Sequence, residues 1–183
     1  MQQTTALTRK DGRADDEPRP LALTLDFVKY PEGSVLARAG DTIVMCNVTV
    51  EGRVPPFLRD TGEGWLTSEY AMLPRATEER TPRDVTKGSI SGRSAEIQRL
   101  IGRSLRAGLD LGLVGERTLV VDCDVLQADG GTRTTAITGA YVALVLALLR
   151  LRAQKALPGW PLTDQVAAVS VGLMGDRELL DLA

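Results

Sequence analysis

Residues 118–153 read TLVVDCDVLQADGGTRTTAITGAYVALVLALLRLRA, and this stretch decides the fold. Thr118 to Leu126 is almost continuously apolar, broken by Asp122 and Asp124, which is the pattern of a buried strand. Gly130-Gly131 turns the chain. Thr132 to Arg152 then carries apolar residues nearly all round from Ala136 to Leu149, which predicts a central buried helix.

On the N-terminal side, Ser94 to Asp110 has helical periodicity, with Ile97, Leu100, Ile101 and Leu105 on one face. Strands are predicted at Leu21–Phe27, Val35–Ala39, Thr42–Glu51 and Trp65–Leu73, each bounded by turn residues. On the C-terminal side, 153–164 forms a linker. Val166–Leu173 and Leu179–Leu182 then read as a hairpin around Gly175-Asp176. Four strands, a helix, a strand, a helix and two strands make an α+β domain, not a bundle or a regular doubly wound fold. Its expected extent is 20–183, preceded by a polar, charge-balanced segment, 1–19, that reads as a mobile arm.

The 183 residues include no histidine. Ser-His-Asp and Cys-His nucleophile pairs, histidine general bases and His-ligated zinc are therefore excluded. Chemistry at neutral pH must use carboxylates, arginines, backbone amides, a metal or groups on the substrate. Net charge is −2, so no global basic character points to nucleic acid. Cys46 and Cys123 each sit in an apolar run, which predicts two buried thiols in a reducing cytoplasm. The most apolar stretch, Ala140 to Leu149, is too short to span a bilayer, for which ~20 residues are needed.

Four features could carry chemistry. In the first, Gly130-Gly131 lets the backbone approach a ligand, the following helix start presents free N–H groups, and Thr132 and Arg133 add a hydroxyl and a cation. This reads as a phosphate cradle or as an ordinary tight turn with a threonine cap. The second is residues 75–106. Arg75, Arg80, Arg83, Lys87, Arg93, Arg99, Arg103 and Arg106 face only four acids, and Arg99, Arg103 and Arg106 align on one helix face. This is a surface for phosphate-bearing polymers or a solvated helix face. The polar connection 74–93 is long for a structureless loop, so it is a working segment or disordered. The third is Asp122 and Asp124, two apart on a strand, with Asp129 nearby. They could hold a divalent ion or simply pair with arginines. The fourth is Trp65, near Ser68-Glu69-Tyr70, which could stack on a base but more simply belongs to the core.

Read as strings, these segments resemble the ribonuclease PH family. The resemblance is carried by KDGRADDEPRP at 10–20, EGSVLARAGDTIVMCNVTVEG at 32–52 and VPPFLRDTGEGWLTSEYAMLPRATEER at 54–80. SGRSAEIQRLIGRSLRAGLDL at 91–111, GERTLVVDCDVLQADGGTRTTAITGAYVAL at 115–144 and VAAVSVGL at 166–173 complete it, in order along the chain. It implies mixed β-sheets packed on a central buried helix, in the βαβ topology of ribosomal protein S5 domain 2. It also implies a phosphate-dependent 3′→5′ exoribonuclease that trims transfer-RNA precursors, releases nucleoside 5′-diphosphates and can run in reverse. Phosphate-binding residues fall on Arg93, Gly131, Thr132 and Arg133, and RNA-binding residues on Arg75, Arg80, Arg83 and Arg99. Inorganic phosphate is the implied co-substrate, Mg2+ an implied cofactor, RNA the implied partner, and a homo-hexamer built as a trimer of dimers the implied assembly.

The same resemblance places the family's paired catalytic aspartates beyond Ala183, so no catalytic residue is identifiable within the chain and its metal ligands are unknown. The chain is therefore expected to be either a fragment of a longer protein, its C-terminal part missing, or a truncated form that binds but does not turn over, and its apolar end favours the fragment. The alternative is a non-catalytic RNA-binding or scaffold subunit of an exosome-like ring. A single domain disfavours polynucleotide phosphorylase, which carries two.

Overall fold

The computed structural model describes residues 9 and 11–182. Five strands form one sheet: β1 (Leu21–Leu25), β2 (Gly33–Ala39), β3 (Thr42–Glu51), β4 (Trp65–Met72) and β5 (Thr118–Gln127). Their order is β1-β2-β3-β5-β4, and only β4 and β5 run parallel. That parallel pair requires a crossover, which α1 (Gly92–Ala107) supplies. Helix α2 (Thr132–Ala153) follows β5 directly. A hairpin of β6 (Val171–Met174) and β7 (Arg177–Leu180) completes the chain. This is the α+β arrangement expected.

Alternation on each strand decides which face is covered. Val35, Cys46, Cys123 and Tyr70 form one cross-strand row, and Val48, Val121 and Ser68 another, all buried. Both helices cover this face. Helix α1 contributes Ile97, Ile101 and Leu105, and α2 contributes Ala136, Ala140, Ala143, Leu144, Ala147 and Leu148. The small residues at intervals of three and four let α2 lie close on β2 and β3. A Cβ on Gly139 would stand 2.7 Å from the Ala37 Cβ and 2.9 Å from the Cys46 Sγ. A Cβ on Gly33 would stand 1.9 Å from the Ala143 carbonyl oxygen, a backbone atom that cannot move aside. Gly33→Ala is therefore expected to destabilise the fold by about 3 kcal/mol, the upper range for forced overpacking. An unchanged urea midpoint would overturn this close-contact reading.

Helix α2 is long and apolar enough, by length and composition, to cross a membrane, although its most apolar segment read alone is too short. Its alanine-rich side is buried against the sheet, as in the core helix of a globular domain, while Leu149 on the far side is exposed.

Most boundaries differ by one or two residues from those read in the sequence, and three departures have a visible cause. The first helix begins at Gly92 because Ser91 caps it, and it ends at Ala107, just before Gly108, a poor helix former. The last hairpin is shorter than its apolar pattern. Residues 166–170 have no strand beside them and instead lie along α2, where the Ala168 N–H donates to the Thr138 hydroxyl at 3.1 Å. The segment read as a mobile arm falls partly on residues 1–8 and 10, outside the described residues. Arg9, Arg13 and Arg19, within the rest, bind the last strand and its end.

Candidate functional site

The two helix N-termini meet at the C-terminal ends of β4 and β5. At the start of α2, Gly130 and Gly131 both adopt positive φ, 70° and 62°, which only glycine reaches at low cost. Gly131 is the N-cap and offers no side-chain cap, so the first N–H groups of a 22-residue helix are left for another acceptor. The positive end of the helix dipole adds to this anion preference. The start of α1 is satisfied differently. The Ser91 hydroxyl accepts from the Ser94 N–H at 3.1 Å, and the Asp84 carboxylate accepts from the Ser91 N–H and the Ser94 hydroxyl.

Tyr70 links the two helices. It sits on the inward row of β4, and its hydroxyl donates to the Thr132 Oγ1 at 2.9 Å in a buried setting. Burial pushes this phenol's pKa up, while Thr132, Arg93 and Arg133 each act to lower it. Both arginines thus lie within electrostatic reach of one hydroxyl, although they are 40 residues apart in the chain. Arg133 is paired with Glu96 of α1 at 3.4 Å, and both side chains are substantially exposed. Arg93 is exposed. The four residues read as a phosphate cradle, Arg93, Gly131, Thr132 and Arg133, are thereby gathered at one place. Thr132 is oriented from below, and the arginines are open to solvent.

The arginines read as RNA-binding are less concentrated. Arg75, Arg80 and Arg83 are exposed on the connection between β4 and α1, and Arg99 is exposed on α1. The connection is ordered near the turn, because Ala76 is buried and its carbonyl accepts from the Ala128 N–H at 2.8 Å. Arg75 is therefore held beside the Gly130-Gly131 loop. Arg99 and Arg103 line a groove of about 650 Å³ with Thr67, Ser68 and Glu96. Arg106 lines the same groove, with its guanidinium engaged by β4. It stacks on the Trp65 ring at 4.7 Å and donates to the Leu66 carbonyl at 2.8 Å, so it serves packing. Trp65 is half-buried and meets Phe57 edge to face.

Asp122 and Asp124 share the sheet face turned away from α2, with Glu69 beside Asp122 and Ala71 beside Asp124. Burial and the neighbouring acids raise both pKa values, and Arg83 pulls that of Asp124 back down. Asp129 lies apart, exposed in the turn. Among the described residues no group of three or more acid or thiol side chains comes together as a metal site.

The description "3′ exoribonuclease family, domain 1" belongs to the family model that matches residues 17–149, which include both helix starts and the glycine turn. The chain belongs to the ribonuclease PH family. It is 57% identical to Ribonuclease PH of Moorella thermoacetica over 176 residues, covering 96% of this chain and 70% of that protein. It is 58% identical to Ribonuclease PH of Bacillus subtilis over 177 residues, covering 95% and 71%. Among solved structures, the Archaeoglobus fulgidus exosome with RNA bound to the active site superposes with a TM-score of 0.76 at 23% identity. That superposition covers 96% of this chain and 71% of that one, and at this identity it speaks for the fold alone.

Sequence reading missed Tyr70, which hydrogen-bonds Thr132, Asp84, which accepts from the start of α1, and Arg19, which donates to the Asp129 carbonyl beside the glycine turn. Tyr70 had a signal: a tyrosine on the buried side of an alternating strand must find a partner for its hydroxyl. Asp84 and Arg19 had none, since their partners are distant in the chain or arise from a backbone turn.

Proposed function

We propose that this chain is a phosphate-dependent 3′→5′ exoribonuclease, a nucleotidyltransferase that trims the 3′ ends of transfer-RNA precursors. Identities of 57 and 58% to proteins named Ribonuclease PH support it. The observation that carries it is the uncapped α2 N-terminus, flanked by Arg133 and Arg93, in a chain with no histidine to serve as a nucleophile's base. Inorganic phosphate binds there on Gly131, Thr132, Arg133 and Arg93. One of its oxygens attacks the terminal phosphodiester phosphorus, and the bond to the 3′ oxygen of the preceding nucleotide breaks. That oxygen leaves as the new 3′ hydroxyl after taking up a proton, and the product is a nucleoside 5′-diphosphate. The protein's task is to hold two anionic groups in line and offset their repulsion, which is positioning plus electrostatics. Reversibility gives nucleotide addition from diphosphates.

Arg75, Arg80, Arg83 and Arg99 guide the RNA 3′ end across the exposed arginine surface that leads to the turn. The assembly is a homo-hexamer, a trimer of dimers. Exposed Leu21, Leu25 and Phe27 give the edge of the sheet an apolar strip of the sort that assemblies cover. The location is the cytoplasm, in keeping with two free, buried thiols, Cys46 and Cys123, whose sulfurs stand 3.9 Å apart.

Incubation of the protein with RNA and inorganic phosphate tests the reaction. Nucleoside diphosphates, formed only when phosphate is present, are expected. Nucleoside monophosphates would make the enzyme a hydrolase and overturn the proposal.

A further inference from the structure

The Gly130-Gly131 turn has two sides. Its amide side faces the site, and its carbonyl side faces Arg19. The Arg19 guanidinium donates to the Asp129 carbonyl through Nη1, and Nη2 lies 3.5 Å from the Gly130 carbonyl. Thr42 braces the same turn, with its hydroxyl donating to the Gly130 carbonyl at 2.6 Å and accepting from the Asp129 N–H at 2.9 Å. The fit is close: a Cβ on Gly131 would stand 2.9 Å from Arg19 Nη2, and one on Gly40 would stand 2.7 Å from its Cδ.

The guanidinium is itself fixed. Asp181, just past β7, accepts from the Arg19 N–H, Nε and Nη2, each at 2.8 Å, and from Arg13 Nη1 at 3.1 Å. Side chains of all three residues are more than nine-tenths buried. A planar fork thus holds a carboxylate on one edge and the turn's carbonyls on another, an arrangement lysine cannot reproduce.

We propose that Arg19, locked by Asp181, is a positioning residue for phosphate binding. By drawing the carbonyls of residues 129 and 130 backwards, it keeps the amides of residues 131–133 aimed at the anion. This rests on the reading that those amides and Arg133 bind phosphate. Arg13 offers a built-in comparison, because it ties the same N-terminal segment to Asp181 without touching the turn.

The test is calorimetric titration of inorganic phosphate into the folded protein and its Arg19→Lys, Arg19→Met, Arg13→Met and Arg133→Ala variants, with thermal midpoints measured on each. Both Arg19 variants are expected to weaken phosphate binding by about fivefold to tenfold, in the range of a lost partner behind a binding group. Arg13→Met is expected to lower the thermal midpoint while leaving phosphate affinity within about twofold. Equal weakening in the Arg13 and Arg19 variants, or unchanged affinity in folded Arg19→Lys, would overturn the positioning role. Unchanged affinity in Arg133→Ala would instead overturn the underlying phosphate site. If Arg19→Met fails to fold, Arg19→Lys, which keeps the charge, decides the matter.

Discussion

Arg133→Ala is expected to weaken inorganic phosphate binding by about tenfold to a hundredfold, which corresponds to the ~1.5–3 kcal/mol of a hydrogen bond to a charged group. The structure makes the full effect available. Among the described residues Arg133 is held by Glu96 at 3.4 Å, and the two side chains are 41% and 51% exposed. An ion pair so exposed is worth about 1 kcal/mol at most, so the guanidinium can leave Glu96 for a phosphate at little cost. It follows that Glu96→Gln should tighten phosphate binding by about twofold to fivefold, since a competing carboxylate is removed. Both changes are read by calorimetric titration at low and high salt. The Arg133 effect should shrink as salt rises. An Arg133→Ala affinity equal to the parent's would show that phosphate binds elsewhere.

The second large effect concerns Asp181. Its replacement by alanine is expected to cost about 3 kcal/mol of folding stability, because the buried Arg19 guanidinium loses its close counter-charge, while Arg13 keeps Asp11 at 2.6 Å. Those arginines hold the carboxyl at about 2, below its ordinary 3.8, with the Arg19 hydrogen bonds as the leading cause and burial opposing them. A depressed carboxyl favours the folded state only while it is ionised. Its contribution, ~2.5 kcal/mol, is therefore complete above the unfolded pKa and disappears as pH falls through about 2. Urea midpoints of the parent and Asp181→Asn should differ widely near neutrality and converge between about pH 4 and pH 2. A gap that stays constant over that interval would mean the carboxylate charge is not what matters.

The site was legible where its chemistry lies within one element. Gly131-Thr132-Arg133 follow a strand and open a helix, and turn chemistry alone predicts free amides there. The strands and helices were legible because alternation and helical periodicity report burial directly, as in Leu119, Val121, Cys123 and Val125 on β5. The arginine stripe was legible only in part. Spacing puts Arg99, Arg103 and Arg106 on one face, but it does not reveal that Trp65 from β4 lies under Arg106 and turns it into a packing residue.

The sequence by itself determined the order of elements, the covered face of each strand, the exclusion of histidine chemistry and the glycine turn that opens α2. These follow from local propensities and short-range patterns. The tertiary structure alone decided that Arg93 and Arg133 come within electrostatic reach of the Tyr70 hydroxyl, that Asp84 organises the start of α1, and that Arg19 and Asp181 stand behind the glycine turn. Each of these joins residues between 7 and 162 positions apart. A hydrogen bond or ion pair leaves no periodic trace along the chain. It exists only once the parallel pairing of β4 with β5 and the return of β7 to the N-terminal segment bring its two ends together.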